Sequence, residues 1–150
     1  MAHRRHLGFW SFCVVVSFGV FAAGCGRGNK LPPLAEVSGT VTLDGVALPG
    51  AVVQFIPDAN KGTQGPPAVG GSDENGHYEL MTVKHKGAAI GFHKVKVTVL
   101  NQPKGSAGKA ASEVTARRYG DPQTSGFAFE VKKLNKGESN VFDLPLKSAP

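Results

Sequence analysis

Between positions 37 and 146 apolar residues recur at every second position, in short runs that stop at Gly, Pro or Asp-Gly. Val37, Val41 and Leu43 share one face of the first run, with Ser38, Thr40 and Thr42 on the other. A period of two puts alternate side chains on opposite faces of a strand, and it cannot make the stripe that a helix needs to bury itself. The punctuation is dense, since 20 Gly and 10 Pro occur among 150 residues. Asp44-Gly45 and Leu48-Pro49-Gly50 are tight-turn signals. Pro57 ends the second run by removing a ladder donor.

Seven such runs predict seven strands, over residues 37–43, 51–56, 69–72, 77–82, 90–100, 126–131 and 140–146. Tyr78 and Leu80 are expected inward on the fourth. Val95, Val97 and Val99 are expected inward on the fifth, with Lys94, Lys96 and Thr98 outward. On the last, Phe142, Leu144 and Leu146 share a side. Residues 58–76 and 101–123 are rich in Gly, Pro and polar residues and predict long loops, with a helical turn or two over 110–118. Residues 36–147 are therefore expected to form an all-β domain, a seven-stranded antiparallel sandwich of two layers. That size supports a core without disulfides.

The first 25 residues have a different character. Arg4 and Arg5 precede an apolar run over 7–23, and small residues lead to Cys25. This is the layout of an export signal. Ala22-Ala23-Gly24-Cys25 resembles the lipobox of bacterial lipoproteins, with Ala22 where that family usually has Leu. The resemblance implies removal of residues 1–24 and a thioether-linked lipid on Cys25. Cys13 would leave with the signal, so the mature chain would carry no free thiol, which suits an oxidising compartment. Residues 25–35 would be the lipidated Cys and a tether, whose eleven residues from 26 to 36 stretch to at most about 40 Å. Loss of the signal leaves fifteen cations to eleven anions. That excess is too small to point to nucleic acid.

The motifs of the domain resemble the carboxypeptidase regulatory-like family, a transthyretin-like (prealbumin-like) sandwich. They are Gly39-x-Val41, Asp44-Gly45, Leu48-Pro49-Gly50-Ala51-x-Val53 and the run from Asp73 through Gly76 to Tyr78. Gly91-Phe92-His93-Lys94-Val95-Lys96-Val97 is similar to a later strand of that family. Tyr119-Gly120-Asp121-Pro122 with Thr124-Ser125-Gly126 resembles a segment of small exported lipoproteins that carry such a domain. The resemblance implies an accessory module rather than an activity, because a shared fold is not a shared function.

The residues that could carry chemistry read as structural. His77, His85 and His93 are expected at the surface, with Lys84 and Lys86 opposing any cation at His85, so no metal site is expected. Asp73, Glu74 and Asn75 make an acidic turn that could hold Ca²⁺ only with oxygens from elsewhere; a solvated turn is favoured. Ser106 and Ser125 lack a local base, and no nucleophile elbow, phosphate loop or zinc-protease motif occurs. Hydroxyisourate hydrolases share the transthyretin fold but need clustered His and Arg and a different tail; this chain ends Leu146-Lys147-Ser148-Ala149-Pro150.

Lys84, Lys86, Lys94, Lys96, Arg117 and Arg118 could face anionic polymer or headgroups, although outward lysines also prevent edge pairing, and that plainer reading is favoured. The expectation is a non-enzymatic, monomeric envelope protein without cofactor, anchored to a membrane through Cys25 and meeting envelope protein or polysaccharide. The alternative is a binding module for carbohydrate or protein that uses loops 58–76 and 101–123, with Tyr119 as its sole aromatic platform.

Overall fold

The computed structural model describes residues 30–99, 117–135 and 138–148. In chain order the strands are β1 (Leu34–Ala35), β2 (Val37–Leu43), β3 (Val46–Ala47), β4 (Ala51–Pro57), β5 (Ala68–Gly71), β6 (His77–Glu79) and β7 (Met81–Thr82). They continue as β8 (His85–Lys86), β9 (Ala88–Ala89), β10 (Gly91–Val99), β11 (Phe127–Val131), β12 (Asn140–Val141) and β13 (Leu144–Leu146). Two 3-10 turns, η1 (Ala59–Lys61) and η2 (Arg117–Gly120), complete the described elements. The protein is all-β, and no α-helix occurs among the described residues.

The long alternating runs become the middle of a six-stranded sheet of order β11-β10-β4-β5-β7-β8. β10 lies antiparallel to β4 with Val95 opposite Phe55 and Val97 opposite Val53, and antiparallel to β11 with Val95 opposite Phe127. A second sheet gathers around β2, which pairs with β3, β6, β12 and β13. β1 and β9 make a separate two-stranded ladder. Inward residues of both large sheets meet in one buried cluster, which includes Val41, Val53, Phe55, Tyr78, Leu80, Val95, Val97, Leu144 and Leu146. Phe129 of β11 stacks on Phe142 at 4.6 Å between ring centroids and lies 6.0 Å from Phe55, so aromatic rings bridge the two layers.

The Asp44-Gly45 turn forms as its composition demands. Both residues have positive φ, 52° and 88°, and Leu43 pairs with Val46 across a two-residue hairpin. Such primed turns match the twist of the flanking strands. Ser72 closes the next connection: its hydroxyl accepts from Ala51 N and donates to Leu48 O.

Several expectations need correction. The run 77–82 is not one strand: it leaves the β2 sheet after Glu79, crosses at the buried Leu80, and joins the six-stranded sheet as β7. Leu80 N donates to Val37 O, while its carbonyl accepts from Gly87 N, so each backbone group at the crossing is used. The run 140–146 is also broken, at Phe142 and Asp143, and both halves pair parallel to β2 rather than antiparallel. At the break Phe142 N donates to Ser38 O, and the Asp143 carboxylate accepts from Thr40 N, which keeps the ladder satisfied through a side chain.

Residues 34 and 35, expected in the tether, form β1, and Ala35 is buried. The 58–76 loop holds η1, capped by Asp58, and the buried Thr63, whose hydroxyl accepts from Phe92 N. Of the helical turn expected over 110–118, positions 117 and 118 lie in η2 and the rest lies outside the described residues.

Candidate functional site

Among the described residues a concavity of about 110 Å³ lies where β2, β6 and β8 meet the segment leading into β12. Glu36, Glu79 and Glu138 stand around it with Lys86, over a floor that includes Val37 and Leu80. Leu80, where the chain passes from one sheet to the other, is part of its lining. Asn140 holds one wall. Its side-chain amide donates to Glu36 O at 3.2 Å and Lys132 O at 3.0 Å, and its oxygen accepts from Lys132 N at 3.0 Å. With only 6% of its surface exposed, Asn140 ties the end of β11 to the start of β2.

The charges of this cleft are solvated. Lys86 Nζ lies 3.5 Å from Glu79 Oε2 with both side chains exposed, a pair worth about 0 to 1 kcal/mol. Glu138 Oε2 accepts from the backbone N and the side-chain amide of Asn135, which holds its carboxyl below the ordinary value. The Ser38 and Ser139 hydroxyls are in the lining, Ser38 opposite Glu79, and among the described residues neither hydroxyl is hydrogen-bonded to a base, as an activated nucleophile would be. The cleft can accept a small cationic or hydroxylated group.

The residues singled out in the sequence do not converge. Cys25 and Ser106 lie outside the described residues. His77 and His85 are exposed on β6 and β8. His93 corrects the expectation of surface histidines: it is 1% exposed, inward on β10 in phase with Val95 and Val97. Its Nδ1 lies 3.0 Å from Gly91 O, which can only accept, so the proton sits on Nδ1; Nε2 is buried without a partner. Burial lowers the His93 pKa, and the Gly91 carbonyl offsets part of that. Among the described residues no three His, Cys, Asp or Glu are placed to hold a metal ion. The Asp73 carboxylate accepts from Asn75 N and His77 N, each at 2.9 Å, and so builds the turn from within. Ser125 is buried, and its hydroxyl donates to Val95 O.

Tyr119 is no platform. It is 3% exposed, stacks on Phe127 at 5.6 Å, and its hydroxyl accepts from Lys147 N and Arg118. Of loop 101–123, residues 101–116 lie outside the described residues. The lysines divide. Lys94 pairs with β4 on one side and β11 on the other, so it guards no edge, whereas Lys96 pairs with Gln54 of β4 and lies past the end of the β11 ladder at Val95. Lys86 stands on the edge strand β8, and Lys84 lies in the turn before it, where that protective reading holds. Arg118 lies over the Tyr119 ring at 4.7 Å, and Arg117 is exposed. Among the described residues no helix is long and apolar enough to cross a membrane. No protein-family model and no curated protein matches the chain.

Proposed function

We propose that this protein is a lipid-anchored, non-enzymatic component of a bacterial cell envelope, in which acylated Cys25 holds one carboxypeptidase regulatory-like domain close to a membrane. The observation that carries the reading is Ala22-Ala23-Gly24-Cys25, set directly after a basic start and an apolar run of 17 residues, 7–23. The two large sheets around a shared core and the Asp44-Gly45 hairpin support a transthyretin-like sandwich, here with a parallel pair at β2. The solvated cleft and the dispersed histidines support a structural or interaction role.

Mass spectrometry of the mature N-terminus tests the anchor. The expected species begins at Cys25 and carries a thioether-linked diacylglyceryl group. An unmodified thiol at Cys25, or a chain that begins elsewhere, overturns it. Cys25→Ser should release the domain or stall its processing, because a hydroxyl cannot form the thioether.

A further inference from the structure

The outward face of the six-stranded sheet is apolar along its middle and basic at its flank. Val52 and Ile56 of β4, Val69 of β5, Met81 of β7 and Phe92 of β10 all point away from the core. Val69, Met81 and Phe92 are 40%, 45% and 36% exposed, and Val69 lies directly opposite Met81. Single exposed apolar residues are ordinary on any surface, but these share one continuous face. Lys94 stands opposite Ile56, and Lys96 opposite Gln54, which in turn faces Val69. The Lys61 ammonium lies 4.5 Å from the centroid of the Phe92 ring. Lys86, opposite Met81, is a fourth cation on this face and is paired with Glu79 at 3.5 Å; beside Lys61, Lys94 and Lys96, the strand carboxylate among the described residues is Glu130, opposite Phe92 on β11. Asp58, at the end of β4, is occupied in capping η1.

The chain also arrives at this end of the sheet. Pro32 packs against Gly65, and Pro33 O accepts from Ile90 N, two residues before Phe92. The seven steps along the chain from Cys25 to Pro32 stretch to about 25 Å at most. A lipid at Cys25 would therefore hold the Phe92 and Lys61 end of the sheet against the bilayer at high effective concentration, where a weak surface suffices.

We propose that this face lies on an anionic phospholipid bilayer, with Val69, Met81 and Phe92 among the headgroups and Lys61, Lys94 and Lys96 on lipid phosphates. The inference rests on the anchor reading above, and its test separates the two. Each lysine at such a surface raises the attached population roughly fivefold, so reversing two charges should lower it by more than about 25-fold.

The lipidated full-length product, bearing Met81→Cys labelled with a polarity-sensitive fluorophore, is mixed with vesicles of phosphatidylcholine alone or with added phosphatidylglycerol. Flotation with either vesicle reads the anchor; emission reads the face. The expected result is a blue shift with phosphatidylglycerol only. It should be lost in Lys94→Glu/Lys96→Glu and reversed by 0.5 M NaCl, where the screening length shrinks to about 4 Å. A label at Val141→Cys, exposed on the other sheet, should not shift. Equal emission in both lipids, or an equal shift at Val141→Cys, overturns the proposal, including the case in which a bound protein partner is what covers the face. Failure to float on phosphatidylcholine alone sinks the anchor, while a shift on phosphatidylglycerol vesicles still decides the face.

Discussion

The two large sheets reach stability by different means. In the six-stranded sheet the long strands β4 and β10 run side by side with seven residues in register, from His93 opposite Pro57 to Val99 opposite Ala51. Alternation alone places their side chains. The β2 sheet is assembled from short pieces, and side chains fasten what the ladders do not. Tyr78 donates its hydroxyl to Phe142 O at 2.7 Å, Asp143 accepts from Thr40 N, and Asn140 joins Glu36 to Lys132. Gly39 lies so close beneath the Phe142 carbonyl that any Cβ would collide with it. The middle of the β2 sheet therefore depends on particular polar contacts, whereas the paired length of β4 and β10 depends on apolar area, with Thr63 and Ser125 bonding the β10 backbone at Phe92 and Val95, and substitutions should separate them.

Tyr78→Ala should cause the largest loss. The ring is 1% exposed, and truncating a buried aromatic costs about 3 to 5 kcal/mol. It also removes the donor from Phe142 O, at the break between β12 and β13. Val97→Ala, in the regular sheet, removes two methyls and should cost about 2 kcal/mol, because no polar group is stranded there. Urea unfolding of both variants checks the order. Equal losses would mean that the hydroxyl contact contributes nothing and that the two sheets are held alike.

Asn140→Ala comes next and belongs wholly to the second sheet. It deprives Lys132 N and two carbonyls of partners in a partly buried setting, so a loss of about 1 to 3 kcal/mol is expected. Asn140→Asp sharpens the point, since the carboxylate can still accept from Lys132 N but can no longer donate to the carbonyls. A midpoint no better than that of Asn140→Ala would assign the contribution to the two donated bonds.

The contrast also explains which parts of the fold were legible. β2, β4 and β10 follow from alternation, because each keeps one face in the core along its whole length. The crossing at Leu80 leaves no trace, since Tyr78, Leu80 and Thr82 stay in phase and all remain buried while the backbone changes partners. Parallel pairing of β12 and β13 is silent for a related reason: the direction of a neighbouring strand does not alter a period of two. Two-residue strands such as β1 and β9 are too short to show any period. The cleft was hidden because its walls come from separate segments of chain. His93 was legible, being in phase with Val95 and Val97, but its residue type suggested the surface.

His93 gives the regular sheet a pH dependence of its own. Burial lowers its pKa, so between the ordinary value of 6.5 and the folded value the unfolded chain binds a proton that the folded chain does not. The His93 contribution is whole above pH 6.5 and is lost as pH falls through the folded pKa. His93→Phe keeps a ring beside Phe55, whose centroid lies 5.9 Å away, and should flatten the decline in stability below pH 6.5. Denaturant midpoints from pH 7.5 to 5.5 decide it. An undiminished slope in His93→Phe would place the titration elsewhere.

The smallest effect is expected at Lys96, next to Val97 on the same strand but on the outward face. Its ammonium lies away from the core, and its register partner is Gln54, so Lys96→Ala should move stability by less than about 0.5 kcal/mol. The pair Lys96→Ala and Val97→Ala thus reads the phase of β10 directly, because a slip of one residue would exchange the two faces. Comparable losses in both variants would remove the outward face on which Lys94 and Lys96 stand. An unchanged midpoint in Lys96→Ala, with a clear loss in Val97→Ala, would leave the face intact. Any change in membrane attachment on altering Lys94 and Lys96 would then come from their charge, since the core beneath them would be undisturbed.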